Sequence, residues 1–370
     1  MGDTRRARLR RPMVAGALLL TAACSAGPGA ATTSPSARPS PAAGASPFAT
    51  PSAQDGQGCR YVRERLAVPA RFPHASPEGG DGGEWIAGTV DDTTDDAGDW
   101  YPAVWHRGRV QVLRTPGGRR GRGVDVNSAG VVVGQVRNPD LKFDHAYLWR
   151  DGRPVRLQGR GKPVAINDSG LVVGTARVDG HRRAVYWRVD DPGTRHVVPG
   201  PDADVTVRGV DDSGRIVATA SAPVDVEPGR YALIGTVEGL RRWPGMPTVG
   251  RSEPYEVRGR YVVGHGSYPG HPSPDSTGTW LWDGVTFAAL PAGVDGWRVN
   301  AHGLVAGTED YSEFAVVVEP GTNRVVELPL DEARWTAYVS TVLDDGSVVG
   351  GVRGWDSDDK STGVQWRRTC

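Results

Sequence analysis

The sequence predicts an all-β fold, a β-propeller of seven four-stranded blades whose last blade is closed by the N-terminal strand. Three observations lead to this prediction. Short Val-rich runs and 51 glycines among 370 residues favour many strands and tight turns over long helices. One motif recurs about every 44 residues. The two chain ends each carry part of one further unit.

The recurring motif is a turn rich in Asn, Asp and Gly, then an apolar triplet, then usually a glycine. Residues 167–174, which read Asn-Asp-Ser-Gly-Leu-Val-Val-Gly, are a full copy. At intervals of 40 to 46 residues, seven copies end at Gly88, Gly134, Gly174, Thr219, Gly264, Gly307 and Gly350. A tryptophan follows five copies by 13 to 18 residues, at Trp105, Trp149, Trp187, Trp282 and Trp366. Ile234 and Val318 stand near that place in the other two.

Each unit is interpreted as four short strands. The Asn-x-x-Gly segment tolerates the left-handed dihedrals that a tight hairpin between the first two strands requires. The continuous apolar run predicts a second strand buried on both faces, and its final glycine suits a bulge or close backbone approach. The tryptophan lies on the third strand. Four-stranded units of this length are typical of propeller blades rather than helical solenoids.

The first 23 residues are predicted to be a signal peptide. Arginines at 5, 6, 8, 10 and 11 precede the apolar run 13–23, which is too short to span a bilayer. Leu-Thr-Ala-Ala-Cys at 20–24 resembles the lipobox of bacterial lipoproteins, with Thr21 in place of the usual Leu. The resemblance implies lipid modification (palmitate) of Cys24, although an ordinary secretory signal stays open. Residues 4–9, Thr-Arg-Arg-Ala-Arg-Leu, resemble a twin-arginine export motif except that Arg8 stands where a bulky apolar residue is expected, so general secretion and twin-arginine export both stay open.

Residues 24–58 are predicted to be the lipidated N-terminus and a disordered linker. Apart from Arg38 and Phe48, residues 25–53 are all Ala, Ser, Gly, Pro or Thr, which bury too little apolar surface to fold. The propeller then occupies residues 59–370. Only three of the 43 basic residues are lysine, a composition typical of GC-rich bacteria such as actinobacteria.

The chain ends predict how the ring closes. The 312 residues from 59 to 370 fit seven units of about 44, although a count of six stays open. The last unit stops on its third strand at residues 365–370, and residues 60–68 supply the missing fourth. With Cys24 lipidated, Cys59 and Cys370 remain, both at the turn between these strands. In an oxidising exterior we expect them to form a disulfide, the alternative being two free thiols.

Two segments carry a family resemblance. Residues 165–174 read Ala-Ile-Asn-Asp-Ser-Gly-Leu-Val-Val-Gly, and residues 145–149 read His-Ala-Tyr-Leu-Trp. This pattern resembles the HAF family of bacterial extracellular repeats, with Tyr where that family has Phe. The resemblance implies secretion and a propeller-like array, and it brings no catalytic residues.

No catalytic constellation is recognisable in the sequence. It has no Gly-x-Ser-x-Gly elbow, no His-Glu-x-x-His and no P-loop. His265, His271 and Asp275 are interpreted as surface residues of one loop, and the acidic run 91–99 lacks the glycine spacing of an EF-hand. We therefore expect no enzyme activity, no metal and no cofactor. The balanced charge, 43 basic against 43 acidic residues, argues against a nucleic-acid partner.

The loops between second and third strands vary in length, and variable loops on a rigid scaffold usually carry binding. Aromatic residues with polar tips suit glycan or protein recognition. The candidate ligand-binding residues are Trp100, Tyr101, Phe143, Tyr268, His271, Tyr311 and Trp355. The sequence thus predicts a monomeric, envelope-anchored lipoprotein that binds an unknown protein or glycan. A glycan-active hydrolase with its site at the channel mouth, or a purely structural envelope protein, is the alternative.

Overall fold

The computed structural model describes the backbone of residues 52–54 and, from residue 58 onward, the ranges 58–92, 99–137, 144–221, 229–247, 250–269, 278–309, 314–330, 335–354 and 361–370. All of them belong to the unit formed by residues 48–370. Within these ranges no helix is long and apolar enough to cross a membrane.

Two strands precede the first blade, β1 (Ser52–Gln54) and β2 (Arg60–Arg65). The first blade contains β3 (His74–Gly80), β4 (Trp85–Asp91), β5 (Trp100–His106) and β6 (Arg109–Val112). The second contains β7 (Gly121–Val126), β8 (Val132–Val136), β9 (His145–Arg150) and β10 (Arg153–Arg156). The third contains β11 (Lys162–Ile166), β12 (Leu171–Val178), β13 (His181–Arg188) and β14 (His196–Val197).

The fourth blade contains β15 (Asp204–Val210), β16 (Ile216–Ser221), β17 (Arg230–Thr236) and β18 (Gly239–Arg242). The fifth contains β19 (Ser252–Arg258), β20 (Tyr261–Gly266), β21 (Gly278–Trp282) and β22 (Phe287–Ala289). The sixth contains β23 (Val294–Val299), β24 (Val305–Glu309), β25 (Ala315–Val318) and β26 (Val325–Glu327). The seventh contains β27 (Trp335–Val342), β28 (Val348–Gly354) and β29 (Thr362–Thr369), completed by β2.

The seven antiparallel sheets form a closed ring, so the predicted seven-bladed propeller is confirmed. The first strand of each blade contacts the first strand of the next, and β27 contacts β3 to close the circle. These seven inner strands surround the axis of the ring. The turns between first and second strands lie at one end of the axis, here called the hairpin end. The loops between second and third strands lie at the other, called the loop end.

The seventh blade joins the two chain termini as expected. Strand β2 pairs with β29 from Arg60 opposite Thr369 to Arg65 opposite Val364. The predicted Cys59–Cys370 disulfide is present at the end of this pair, with an S–S distance of 2.04 Å. The fourth strand ends at Arg65, not at residue 68 as predicted. Strand β1 pairs with the outer edge of β2, so part of the predicted linker adds a fifth strand there.

All seven inner strands carry a β-bulge at the same level, because the pairing with the second strand slips by one residue there. The bulged residues are Glu78, Val124, Val164, Arg208, Tyr255, Trp297 and Ser340. The motif's final glycine pairs beside the bulge. A side chain at Gly134 or Gly174 would collide with the backbone carbonyl of Arg122 or Lys162 on the inner strand. The glycine is therefore required by the close approach of the bulged strand.

The fourth blade corrects the sequence alignment by one residue. Ala218, not Thr219, pairs with Val207 next to the bulge and so takes the place of the glycine. On the third strand of this blade, Gly235 and not Ile234 stands opposite Ile216, at the level where other blades carry tryptophan. In the fifth blade Trp282 has the predicted register opposite Val262. The fully buried ring there, however, is that of Trp280.

In three blades the Asn of the motif bonds its blade to the next. Its Oδ1 accepts the backbone N–H four residues further on, which closes the hairpin turn, as Asn167 does from Leu171 at 2.9 Å. Its Nδ2 donates to the backbone carbonyl at the matching position of the following blade. These donors and acceptors are Asn127 to Asn167 at 3.2 Å, Asn167 to Asp211 at 2.8 Å, and Asn300 to Leu343 at 2.9 Å. In these three blades the amide uses both its acceptor and its donor.

Four buried tryptophans bond their blades to the preceding ones. Each indole N–H donates to a backbone carbonyl just after the outer strand of the previous blade. The pairs are Trp105 to Ala67 at 2.7 Å, Trp149 to Arg114 at 2.7 Å, Trp187 to Gln158 at 2.8 Å, and Trp366 to Pro329 at 2.9 Å. Trp105 makes this bond to the segment after β2, so the seam between the seventh and first blades is bonded like the others.

We expect Asn167→Asp to lower the free energy of unfolding by about 1–3 kcal/mol. Aspartate keeps the acceptor for the Leu171 N–H but removes the donor to the buried Asp211 carbonyl. Urea unfolding measures the change. Asn323→Asp, which adds the same charge at an exposed turn, is the matched control. Equal stability of the two variants would show that this bond between blades contributes nothing.

Candidate functional site

Among the described residues, the axial channel is the cavity whose wall carries the most charged side chains. It has a volume of about 370 Å³, and all seven inner strands contribute to its wall. The bulge turns two successive residues of an inner strand toward the axis, where a regular strand presents one. Six charged residues line the channel: Glu78, Asp125, Glu256, Arg208, Arg258 and Arg298.

The sequence motif places these residues, although sequence reasoning missed them. The bulge lies three residues before the motif's Asn, as Val164 lies before Asn167 and Arg208 before Asp211. The bulged residue and the residue after it are therefore the positions of the inner strand that face the channel. The sequence repeat contains this three-residue spacing. The spacing identifies channel residues only once the first strand of each blade is known to be the inner one.

The Arg258 side chain crosses the channel near the hairpin end. This side chain starts in the fifth blade, is 18% exposed, and donates a hydrogen bond to the carbonyl of Gly80 in the first blade. Its guanidinium also lies 3.6 Å from Glu256 Oε1 and 4.0 Å from Asp125 Oδ1. One cation thus spans the axis and lies between two carboxylates from different blades.

Asp125 and Glu256 also bond neighbouring blades together. Asp125 Oδ2 accepts the Ile166 N–H at 2.9 Å, and Glu256 Oε2 accepts the Val299 N–H at 2.8 Å. Burial raises the pKa of Asp125 to about 6, against the opposing effects of the Arg258 charge and of the Ile166 and Val126 N–H groups. Each of the two carboxylates therefore accepts a backbone N–H of the neighbouring blade and lies beside the Arg258 guanidinium.

Glu78 is the third channel carboxylate and comes from the bulge of the first blade. Its pKa is raised by burial, an effect that the nearby charges of Arg122 and Arg298 oppose. Arg122 itself donates two hydrogen bonds to Gln135 Oε1, at 3.2 and 2.9 Å. Glu78 therefore lies in a neighbourhood dominated by cations.

Four residues at the loop end of the channel form what we call the arginine cluster: Arg208, Arg230, Arg251 and Glu253. Glu253 is 1% exposed. It accepts from Arg208 at 2.9 Å, from Arg230 at 3.2 Å, and from Arg251. Burial alone would raise the pKa of Glu253, but the hydrogen bond from Arg251 and the charges of all three arginines lower it overall. One carboxylate thus faces three guanidinium groups.

The predicted ligand-binding residues fall into three groups. Trp100 and Tyr101 open β5 at the loop end and are half-buried, with the Tyr101 ring 5.4 Å from that of Phe72. Tyr268 is only 8% exposed and packs in the core of the fifth blade with Trp243, which corrects the expectation of an exposed binding residue. Phe143, His271, Tyr311 and Trp355 lie outside the described residues.

The second-to-third loops do vary in length as expected. The loop between β12 and β13 has two residues, 179–180, whereas that between β20 and β21 has 11, 267–277. Cys24 and Asp275 lie outside the described residues, and His265 lies on β20 with its ring 6.5 Å from Tyr255. In the part of the chain that is described, no group of three or more His, Cys, Asp or Glu residues is placed to hold a metal ion.

Comparisons with known proteins identify the fold and nothing finer. No protein-family model matches the chain, and no curated protein does. The β-propeller domain of the Trilobed protease from Pyrococcus furiosus is similar, with a TM-score of 0.56 and 11% identity over 80% of this chain and 97% of that one. An oligogalacturonate lyase from Vibrio parahaemolyticus has a TM-score of 0.55 and 10% identity over 84% of this chain and 94% of that one.

A puromycin-hydrolyzing peptidase of Mycobacterium tuberculosis has a TM-score of 0.52 and 16% identity over 82% of this chain. The present chain spans only 52% of that peptidase. At such identities these likenesses define a class, the seven-bladed β-propellers, and carry no activity across.

We expect the stability of Asp125→Asn, relative to the wild type, to rise with pH. The raised pKa of Asp125 means that the fold favours its neutral form, so its stabilising contribution is complete below about pH 4 and is lost as the pH rises through about 6. Asparagine stays neutral and keeps an oxygen for the Ile166 N–H. The gain between about pH 4 and about pH 7.5 should approach roughly 3 kcal/mol.

Urea unfolding across this pH range measures the effect, with the exposed Asp190→Asn as control. A stability difference that does not change with pH would contradict a raised pKa of Asp125 in the folded protein.

Proposed function

We propose that this chain is an extracytoplasmic lipoprotein, anchored to the outer side of the cytoplasmic membrane through Cys24, whose propeller binds a protein or a glycan. The observation that carries the binding function is the contrast between the two ends of the ring. Side chains bond each blade to its neighbours at the hairpin end and in the core, whereas loops of 2 to 11 residues vary at the loop end. Such a scaffold holds variable loops in fixed relative positions.

Two observations support the extracytoplasmic location. The first is the segment of basic, apolar and small residues that ends at Cys24. The second is the Cys59–Cys370 disulfide, because such bonds persist in oxidising compartments and are rare in the cytosol. The linker rich in Pro, Ser and Ala would hold the propeller away from the membrane surface.

Half-buried aromatic residues support the binding role. Trp100 and Tyr101 lie where β5 begins at the loop end, and each presents part of its ring. Tyrosine and tryptophan dominate recognition surfaces because a large apolar ring is combined with one polar group. The channel carboxylates Asp125 and Glu256, engaged as described, give no support to the alternative of a glycan-cleaving enzyme.

We expect Cys24→Ser to release the chain from the membrane. The hydroxyl cannot take the thioether-linked lipid, so the linker and propeller lose the acyl chains that would hold them at the membrane. The test is fractionation of a bacterial host together with labelling by palmitate. Ser25→Ala, one residue away, should stay labelled and membrane-bound. Retention of Cys24→Ser in the membrane fraction would contradict the proposed anchor.

We expect replacement of Trp100 and Trp355 by alanine to weaken ligand capture by about tenfold or more, as loss of aromatic anchors does at recognition surfaces. The assay is binding of the full chain to a glycan array and to envelope extracts. Tyr261→Ala at the hairpin end is the matched control, since it removes an aromatic side chain from the opposite end. If both variants bind as the wild type does, the loop end is not a recognition surface and a purely structural role gains support.

A further inference from the structure

The two ends of the channel differ in charge. At the hairpin end the charges of Glu256, Asp125, Asp212 and Asp344 all act on the single cation Arg258. Toward the loop end lies the arginine cluster, and at the level of the bulge the charges of Arg122 and Arg298 act on Glu78. Three arginines thus bond to Glu253 and two act on Glu78, while Asp295 is a further carboxylate that acts on Tyr255 near the cluster. These five arginines and three carboxylates together carry an excess of positive charge.

Arg298 supplies an unsatisfied donor within this region. It lines the channel from the sixth blade, next to the inner-strand bulge. Its Nε is buried and has no hydrogen-bond partner among the described residues. A buried guanidinium N–H without an acceptor costs free energy, which an incoming acceptor would recover.

Arg208 presents the second guanidinium to the same cavity. It lines the channel from the fourth blade while donating to Glu253. Since Glu253 is shared with Arg230 and Arg251, it neutralises only one of the three positive charges. The rest of the wall at this level includes the apolar side chains of Val124 and Val164, which lower the local dielectric and strengthen charge–charge attraction.

From this geometry we propose that the loop end of the axial channel binds an oxyanion, a carboxylate or phosphate group carried by a ligand that enters from the loop end. Arg208 and Arg298 hold the anion, and the arginine cluster attracts it to the channel mouth. Guanidinium groups match the geometry of both anions, and hydrogen bonds between charged groups are the strong ones. Arg258 crosses the axis toward the opposite end, so we expect the ligand to enter from the loop end.

This inference rests on the proposed binding function in one respect, that the loop end faces the ligand. It adds the chemical class of the ligand, which carries an acidic group, so a neutral ligand of similar size does not bind. The volume of about 370 Å³ is of the size of a monosaccharide with its acidic group, or of the acidic end of a larger molecule.

The test compares the binding of three sugars with the same ring to the full chain: glucuronate, glucose 6-phosphate and neutral glucose. Isothermal titration calorimetry and ligand-observed NMR, at low and at high salt, measure binding. We expect at least one anion to bind saturably, with an affinity that falls as salt rises, and glucose not to bind. Whether glucuronate or glucose 6-phosphate binds more tightly distinguishes a carboxylate from a phosphate ligand.

Arg298→Gln should weaken the bound anion by about tenfold, because the charge is lost while a donor of similar shape remains. Arg298→Lys keeps the charge and loses the planar guanidinium, so it should bind the anion more weakly than the wild type and more tightly than Arg298→Gln. Arg260→Gln, an exposed arginine at the hairpin end, is the matched control and should bind as the wild type does. Circular dichroism and urea unfolding confirm that each variant is folded.

Three results would overturn the proposal: equal binding of glucose and the anions, no anion binding at millimolar concentration, or unchanged anion binding by a folded Arg298→Gln variant. If that variant does not fold, the wild-type comparison of glucose with the two anions still decides. Failure here is distinguishable from failure of the proposed function. The loop variants Trp100→Ala and Trp355→Ala are assayed on glycan arrays and extracts, and they leave the channel arginines intact.

Discussion

Every blade of this ring depends on side chains that satisfy backbone groups of the blades beside it. An isolated four-stranded sheet has two apolar faces to cover, and here each face is covered by the next sheet around the axis. The packing is fixed in register by polar bonds. Asn167 donates forward to Asp211, and Trp187 donates back to Gln158. Because the Asn bond recurs at three junctions and the Trp bond at four, a shift of a blade that makes them would leave buried donors unpaired.

The same constraint explains how the chain closes. A ring without its last outer strand would expose an unpaired sheet edge, and β2 removes that edge by pairing with β29. The disulfide at the end of this pair, together with the Trp105 bond to Ala67, makes the last junction equivalent to the others. Closure is thus a covalent and hydrogen-bonded property of the seam, and the ring holds the loops at one end in fixed relation.

At the bulge, strand pairing is the same in every blade while the channel-facing residues differ. On the outer side of each inner strand the pairing and the motif glycine are repeated, so these positions vary little from blade to blade. On the axis the same positions differ, with Glu78 in the first blade, Val164 in the third and Arg208 in the fourth. The charges of the channel can therefore be set blade by blade without disturbing the strand pairing.

The sequence by itself determined the repeat length, the seven blades and the joining of Cys59 to Cys370, because turn residues and apolar triplets act locally and recur. It did not determine which neighbouring residue takes an equivalent place. Ala218 occupies the place that the pattern had given to Thr219, since one residue of register is settled by strand pairing. In the fifth blade Trp282 keeps the predicted register, but the fully buried ring is that of Trp280.

Only the tertiary structure decided that Tyr268 is a core residue and that Arg208 and Arg298 share a cavity. These two arginines are 90 residues apart in the chain and carry no common motif. They meet because seven inner strands surround one axis, a geometry that exists only once the ring has closed.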